Sequence, residues 1–194
     1  MRGGAEESRE RILQCAEELV RRSGANSVTV DAVAKAAETA KGLVHYHFKT
    51  KRALMEAVAD RLAAGRQAAW KAALEDDQSE GAVAASWTLL TQESATGVSR
   101  AWLSLIGPGS PVPDQEVKKM VESFNWSLGQ AAARMLDREL DLRPSIPIEE
   151  LGPLLGAIVD GMSVRLSSGG DPDVLGGAYA AAWLGILSLS KGGT

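Results

Sequence analysis

Apolar residues recur along almost the whole chain at intervals of three and four, and no stretch alternates with period two for more than a few positions. That spacing gathers side chains on one face of a helix with about 3.6 residues per turn and builds no sheet face, so an all-α protein is expected. With 194 residues the chain is long enough to bury a core without disulfides or metals. Cys15 is the single cysteine and the first ten residues are charged, which predicts a protein of a reducing cytoplasm without a secretory leader. The most apolar stretch, Ala178 to Leu189, falls short of the roughly 20 residues a membrane span needs.

Local signals divide this helical pattern. A first helix is expected from Glu6 to Arg22, with Ile12, Ala16, Leu19 and Val20 on one face, Cys15 beside it as a small buried side chain, and Gly24 as a stop. Thr29 is placed to cap a short helix from Val30 to Ala37 that turns Val33, Ala34 and Ala37 inward, and Asp31 lies where a negative charge suits the helix dipole. After a break at Glu38 and Thr39 a third short helix, Lys41 to Phe48, is predicted, then a long one capped by Thr50 and reaching Leu74. Further helices are expected over Gly81 to Gln92, Thr96 to Ile106, Asp114 to Leu140, Ile148 to Ser167 and Pro172 to Ser190, with loops at Gly107 to Pro113 and Ser168 to Pro172. This organisation predicts a domain over 1–50 and a second over 51–194.

The net charge of −4 is unevenly distributed. Residues 1–60 hold ten Lys/Arg against nine Asp/Glu, whereas residues 61–194 hold eleven against sixteen, so the acidity belongs to the C-terminal part. Charge alone is therefore a weak pointer to nucleic acid, and the position of individual groups carries the case.

In the third short helix Val44 and Phe48 are four apart and share the inward face, which forces Lys41, Gly42, Leu43, His45, Tyr46 and His47 outward. Such a face suits a DNA groove. Gly42 permits close backbone approach, Lys41 and His45 offer hydrogen bonds to base edges, and Leu43 can touch a thymine methyl. Tyr46, His47, Lys49 and Lys51 lie nearer the phosphates. Two short helices joined by a tight turn and set on a longer one form a helix-turn-helix, whose second helix enters the major groove. His45 and His47 point about 200° apart around the axis and cannot share a metal, so no metal site is expected.

The segment from Thr29 to Ala37, TVDAVAKAA, followed by Lys41 to Leu54, KGLVHYHFKTKRAL, resembles the DNA-binding signature of the TetR (TetR/AcrR) family of bacterial transcriptional regulators, over about residues 8–58. The remainder resembles that family in length and helical pattern. The resemblance implies that Lys41, Gly42 and His45 face bases, that Thr29, Leu43, Tyr46, His47 and Lys51 lie against the DNA backbone, and that the last two helices pair with those of a second copy. Three positions depart from the pattern. Glu38 stands where the family usually has Gly, Ala40 where it usually has a capping Ser or Thr, and His45 where Tyr is commonest, and Thr39 is a substitute cap if the helix starts one residue early.

The C-terminal part holds Trp70, Trp87, Trp102, Trp126 and Trp183, although the whole chain has only two Phe and two Tyr. Large aromatics are core by default; Trp87 shares a face with Val83 and Leu90, and Trp102 with Val98, Leu105 and Ile106, which suits plain core and also the walls of an apolar cavity, and Met120, Phe124 and Met162 are further candidate lining residues. Trp126 falls outside the apolar stripe of its helix, which predicts exposure or an interface. The final two helices contain Gly156, Gly161, Gly176, Gly177 and Gly185, small residues that permit close helix approach. Neither a nucleophile-base arrangement nor a Gly-rich phosphate loop is visible, so neither an enzyme nor a cofactor is expected. The expectation is thus a cytoplasmic homodimeric regulator whose partners are double-stranded operator DNA and a small, largely apolar effector that releases the protein as a repressor. A helical ligand-binding or interaction module without DNA binding is the alternative.

Overall fold

A computed structural model describes residues 2–75 and 81–192. Its elements in chain order are α1 (Arg2–Ser23), a 3-10 turn (Ala25–Ser27), α2 (Val30–Ala36), α3 (Lys41–Phe48), α4 (Lys51–Glu75), α5 (Ala82–Ala95), α6 (Val98–Ile106), α7 (Asp114–Leu140), β1 (Leu142–Pro144), α8 (Ile148–Ser167), α9 (Pro172–Ser188) and β2 (Ser190–Gly192). The all-α expectation holds, with one addition: β1 and β2 pair antiparallel, Leu142 opposite Gly192 and Pro144 opposite Ser190. Three-residue strands are too short to leave a period-two signal in sequence. The helix expected from Thr96 begins at Val98, because Thr96 caps the end of α5 and Gly97 turns the chain at φ 78°.

Compactness divides the chain into a first unit of residues 1–63 with 100–118 and a second of 64–99 with 119–194. The first unit therefore takes most of α6, which sequence reading assigned to the second domain.

In the first unit Ile12, Ala16 and Val20 of α1 are fully buried, as the helical period requires, joined by Leu13; Leu19 is only half-buried. Cys15 is also half-buried rather than enclosed, and partial burial with Glu18 nearby pushes its thiol pKa up. The α1 helix packs on α2 and α3, and α2 on α3. Gly24 takes φ 78°, and the Ala25 N–H that follows donates to Ser104 Oγ at 3.0 Å, while Arg100 donates to the carbonyls of Arg21 and Arg22 at the end of α1. The two Arg100 bonds satisfy helix-terminal carbonyls that α1 itself leaves open. Trp102 is completely buried in this unit.

The second unit holds its helices closely. A Cβ on Gly152 of α8 would stand 2.2 Å from the Asn125 carbonyl oxygen of α7, so only glycine fits there. Its interior contains a buried ionic group: Arg66 Nε donates to both oxygens of Glu93 at 3.2 and 3.0 Å, Arg66 Nη1 lies 3.5 Å from Asp160 Oδ1, Trp70 Nε1 donates to the Glu93 carboxylate at 3.0 Å, and the guanidinium lies 4.6 Å from the Phe124 ring centre. Burial holds the Glu93 carboxyl above its ordinary pKa, against the opposing pull of Arg66 and the Trp70 N–H. Removing one member of such a group costs about 3–5 kcal/mol, because the remaining charge stays buried.

Candidate nucleic-acid interface and effector pocket

The α2–α3 segment is set by local chemistry. Thr29 Oγ1 accepts from the Ala32 N–H at 3.1 Å and starts α2, as the sequence predicts. Glu38 then takes φ 49°, the left-handed conformation that the turn imposes, and the chain re-enters helix at Lys41. A side chain in this region costs about 1–2 kcal/mol relative to right-handed backbone, which is why a glycine is the easy solution there. Ala40 is the N-cap of α3 and contributes no side-chain bond, so α3 does not start early onto Thr39. The next helix regains a cap, since Thr50 Oγ1 accepts from Ala53 N–H at 3.0 Å.

On α3, Val44 is 1% exposed and Phe48 5%, whereas Lys41, Gly42, His45 and Tyr46 are open to solvent, Tyr46 at 64%. Phe48 is fixed further by the Arg9 guanidinium, 5.0 Å from its ring centre, a contact that sequence spacing across forty residues does not reveal. Leu43 and His47 are half-buried rather than outward, and His47 Nε2 is buried with no hydrogen-bond partner. That location turns part of the His47 ring toward Tyr46 and Phe48, with centroids 5.1 and 6.4 Å away.

The polar groups of this face already have partners. Lys41 Nζ is 2.9 Å from Asp31 Oδ2 of α2, His45 Nδ1 is 3.3 Å from the Lys49 carbonyl oxygen, Lys49 Nζ lies 5.4 Å from the Tyr46 ring centre, and Lys51 Nζ donates to the Asn26 carbonyl at 3.2 Å. All are exposed contacts, worth about 0–1 kcal/mol each, so a phosphate or base edge can displace them. Gly42 has open space on its outer side, since a Cβ there would meet nothing within 4 Å. Thr29, Lys41, Gly42, His45, Tyr46, Lys49 and Lys51 thus cluster on and around one exposed surface built by α2, α3 and the start of α4.

In the second unit a cavity of about 510 Å³ opens between α5, α7 and α9, lined among others by Trp87, Met135, Glu139, Tyr179, Trp183 and Leu187. The Tyr179 ring lies 5.4 Å from Trp87 and 6.4 Å from Trp183, and its hydroxyl pairs with Ser86 Oγ at 2.9 Å. Burial pushes the Tyr179 phenol pKa up, so it stays neutral near physiological pH. Of the candidate lining residues only Trp87 borders this cavity. Trp102 belongs to the first unit's core, Phe124 is buried beneath Arg66, and Met120 and Met162 are half-buried elsewhere in the chain. Tyr179 and Trp183 were missed, although their spacing of four places both on one face of α9. Among the described residues no group of three or more His, Cys, Asp or Glu is arranged to hold a metal, and no helix is long and apolar enough to cross a membrane.

Two short helices, α2 and α3, joined by a tight turn at Glu38 and packed on α1, with the polar face of α3 exposed and its apolar pair buried, have the arrangement of a helix-turn-helix. Residues 12–58 match the family model of bacterial regulatory proteins, tetR family. The whole chain has the fold of solved TetR-family regulators. A TetR-family transcriptional regulator from Agrobacterium tumefaciens superposes with TM-score 0.72 at 20% identity, covering 94% of this chain and 98% of that one. The reduced form of E. coli NemR gives 0.72 at 17%, over 95% and 98%, and Salmonella enterica GusR gives 0.68 at 16%, over 94% and 96%. No curated protein matches the sequence. The match to the tetR-family model over residues 12–58 supports a DNA-binding transcription regulator, and the solved structures share the fold.

Proposed function

We propose that the protein is a cytoplasmic, homodimeric bacterial repressor that grips operator DNA with α3 and is released by a small, largely apolar effector. The observation that carries the DNA part is the partition of α3, with Val44 and Phe48 buried and Lys41, Gly42, His45 and Tyr46 exposed. In this reading Lys41, Gly42 and His45 meet base edges, and Thr29, Leu43, Tyr46, His47, Lys49 and Lys51 lie along the backbone. Residues 1–50 form the DNA-reading part and 51–194 the ligand-binding and dimerisation part.

Dimerisation draws support from α8 and α9, where Leu154, Val164, Val174 and Leu184 are exposed apolar side chains, with Trp126 of α7 also 47% exposed. Two reading helices about 34–36 Å apart address adjacent major-groove turns, which one helix of barely two turns cannot do with useful specificity. The cavity beside Trp87 supports an apolar effector. Coupling runs through α4, which starts three residues after α3 and continues unbroken to Glu75. An effector that favours one packing of the helices around it tilts α4 and changes the spacing of the two reading heads, at a coupling of about 1–3 kcal/mol.

A gel shift with the DNA just upstream of the protein's own gene tests the proposal. Binding is expected to weaken steeply with salt through counterion release. Lys51→Ala should weaken binding to all sequences and lower the salt slope by about one, whereas His45→Ala should change the preference among sequences. Absence of any shift at low salt leaves the interaction module without DNA binding as the better reading, and identical sequence-blind effects of both variants refute the division of roles.

A further inference from the structure

The cavity between α5, α7 and α9 has a chemistry more specific than "apolar". Among the described residues its aromatic members are Trp87, Tyr179 and Trp183, its only ionisable carboxylate is Glu139, and no Lys, Arg or His lines it. An anionic effector would enter without any cationic partner and lose its hydration uncompensated. A cation is treated in the opposite way. Aromatic ring faces carry negative potential that attracts an ammonium or similar soft cation, and three aromatic side chains border this cavity. Tyr179 adds no competing charge, because burial keeps its phenol neutral, and its hydroxyl is paired with Ser86 Oγ at 2.9 Å. Glu139 is exposed at the end of α7 and is 2.9 Å from Arg138, which also donates to the Leu74 carbonyl at 3.2 Å and to the Glu75 carbonyl. Arg138 is therefore anchored on the end of α4 and is not among the residues that line the cavity, and its exposed contact with Glu139 is weak enough for a bound cation to compete for that carboxylate.

Resting on the effector-pocket reading above, we infer that this cavity selects hydrophobic cations, a flat aromatic body lying among Trp87, Tyr179 and Trp183 with its positive group directed toward Glu139. Gly176 sets the position of the Trp87 wall, since a Cβ there would come within 3.0 Å of the indole nitrogen. The volume of about 510 Å³ lies within the range of small-molecule sites.

Three probes of one shape separate the possibilities in the full-length protein: a naphthylmethyl-trimethylammonium ion, naphthylmethanol and naphthoate, followed by calorimetry and tryptophan fluorescence. The cation should bind tightest and naphthoate weakest. Glu139→Gln should weaken the cation by about three- to tenfold and change naphthylmethanol by less than about twofold. Ala180→Phe, a substitution at an exposed position on the cavity wall, should abolish binding of all probes while the melting temperature is kept. If naphthylmethanol binds as tightly as the cation, or Glu139→Gln has no effect, the charge preference is overturned while the pocket stands. If no probe binds, or Ala180→Phe leaves binding intact, the pocket itself is refuted.

Discussion

Gly42→Ala separates the stability of α3 from its use. The change adds one methyl at the second position of α3, where a Cβ would meet nothing within 4 Å in the free protein. Alanine favours a helix over glycine by up to about 1 kcal/mol, somewhat less in a first turn. The variant should therefore be as stable as the wild type or slightly more so, with a melting temperature raised by at most about 2–4 °C for a chain of this size. In the complex the same methyl occupies the space through which backbone approaches the groove, and overpacking of that kind costs about 1–3 kcal/mol. Affinity should fall by about five- to 150-fold while stability does not fall. Gly65→Ala is the matched control: it also adds an exposed methyl with open space around it, but in the middle of α4. It should gain stability and bind DNA normally. Thermal denaturation and fluorescence anisotropy on one labelled duplex at fixed salt measure both quantities. Unchanged affinity in Gly42→Ala, or an equal loss in Gly65→Ala, would refute the placement of α3 in a groove.

Two further outcomes follow from other parts of the molecule. Leu184 is 66% exposed on α9, so Leu184→Glu should leave folding within about 0.5 kcal/mol of the wild type and convert dimer to monomer in sedimentation velocity at micromolar concentration; a concentration dependence identical to that of the wild type would remove α9 from the interface. Glu93 has a folded-state pKa raised chiefly by burial, so the folded chain holds its proton to higher pH than the unfolded chain does. Its contribution to stability is then full below the ordinary carboxylate range and is lost as pH rises toward the folded value. Wild type should lose stability relative to Glu93→Gln over that interval in denaturant titrations, and the opposite slope would show that pairing with Arg66 outweighs burial.

Sequence made the exposed face of α3 legible because most of what defines it is local. The four-residue spacing of Val44 and Phe48 fixes the phase of α3, and Thr29 and Thr50 cap their helices through bonds to the backbone three residues on. Even the departure at Glu38 was visible, and its φ of 49° gives the reason a glycine is the easier choice at that turn. The effector side was far less legible. Helical phase says which face of a helix is covered, not what covers it: Trp87 and Trp102 both occupy apolar faces, yet one borders a cavity with α9 and the other is sealed in the first unit. Arg66 and Glu93 lie 27 positions apart, so no periodic pattern could announce that two charged residues meet in the interior. His47 shows the limit within α3 itself, since two turns of helix have room for a side chain at the border of both faces, and its buried Nε2 places it there. The exposed positions Lys41, Gly42 and His45 are accordingly the strongest candidates for base readout, and His47 is the member of the segment whose substitution should disturb packing as well as binding.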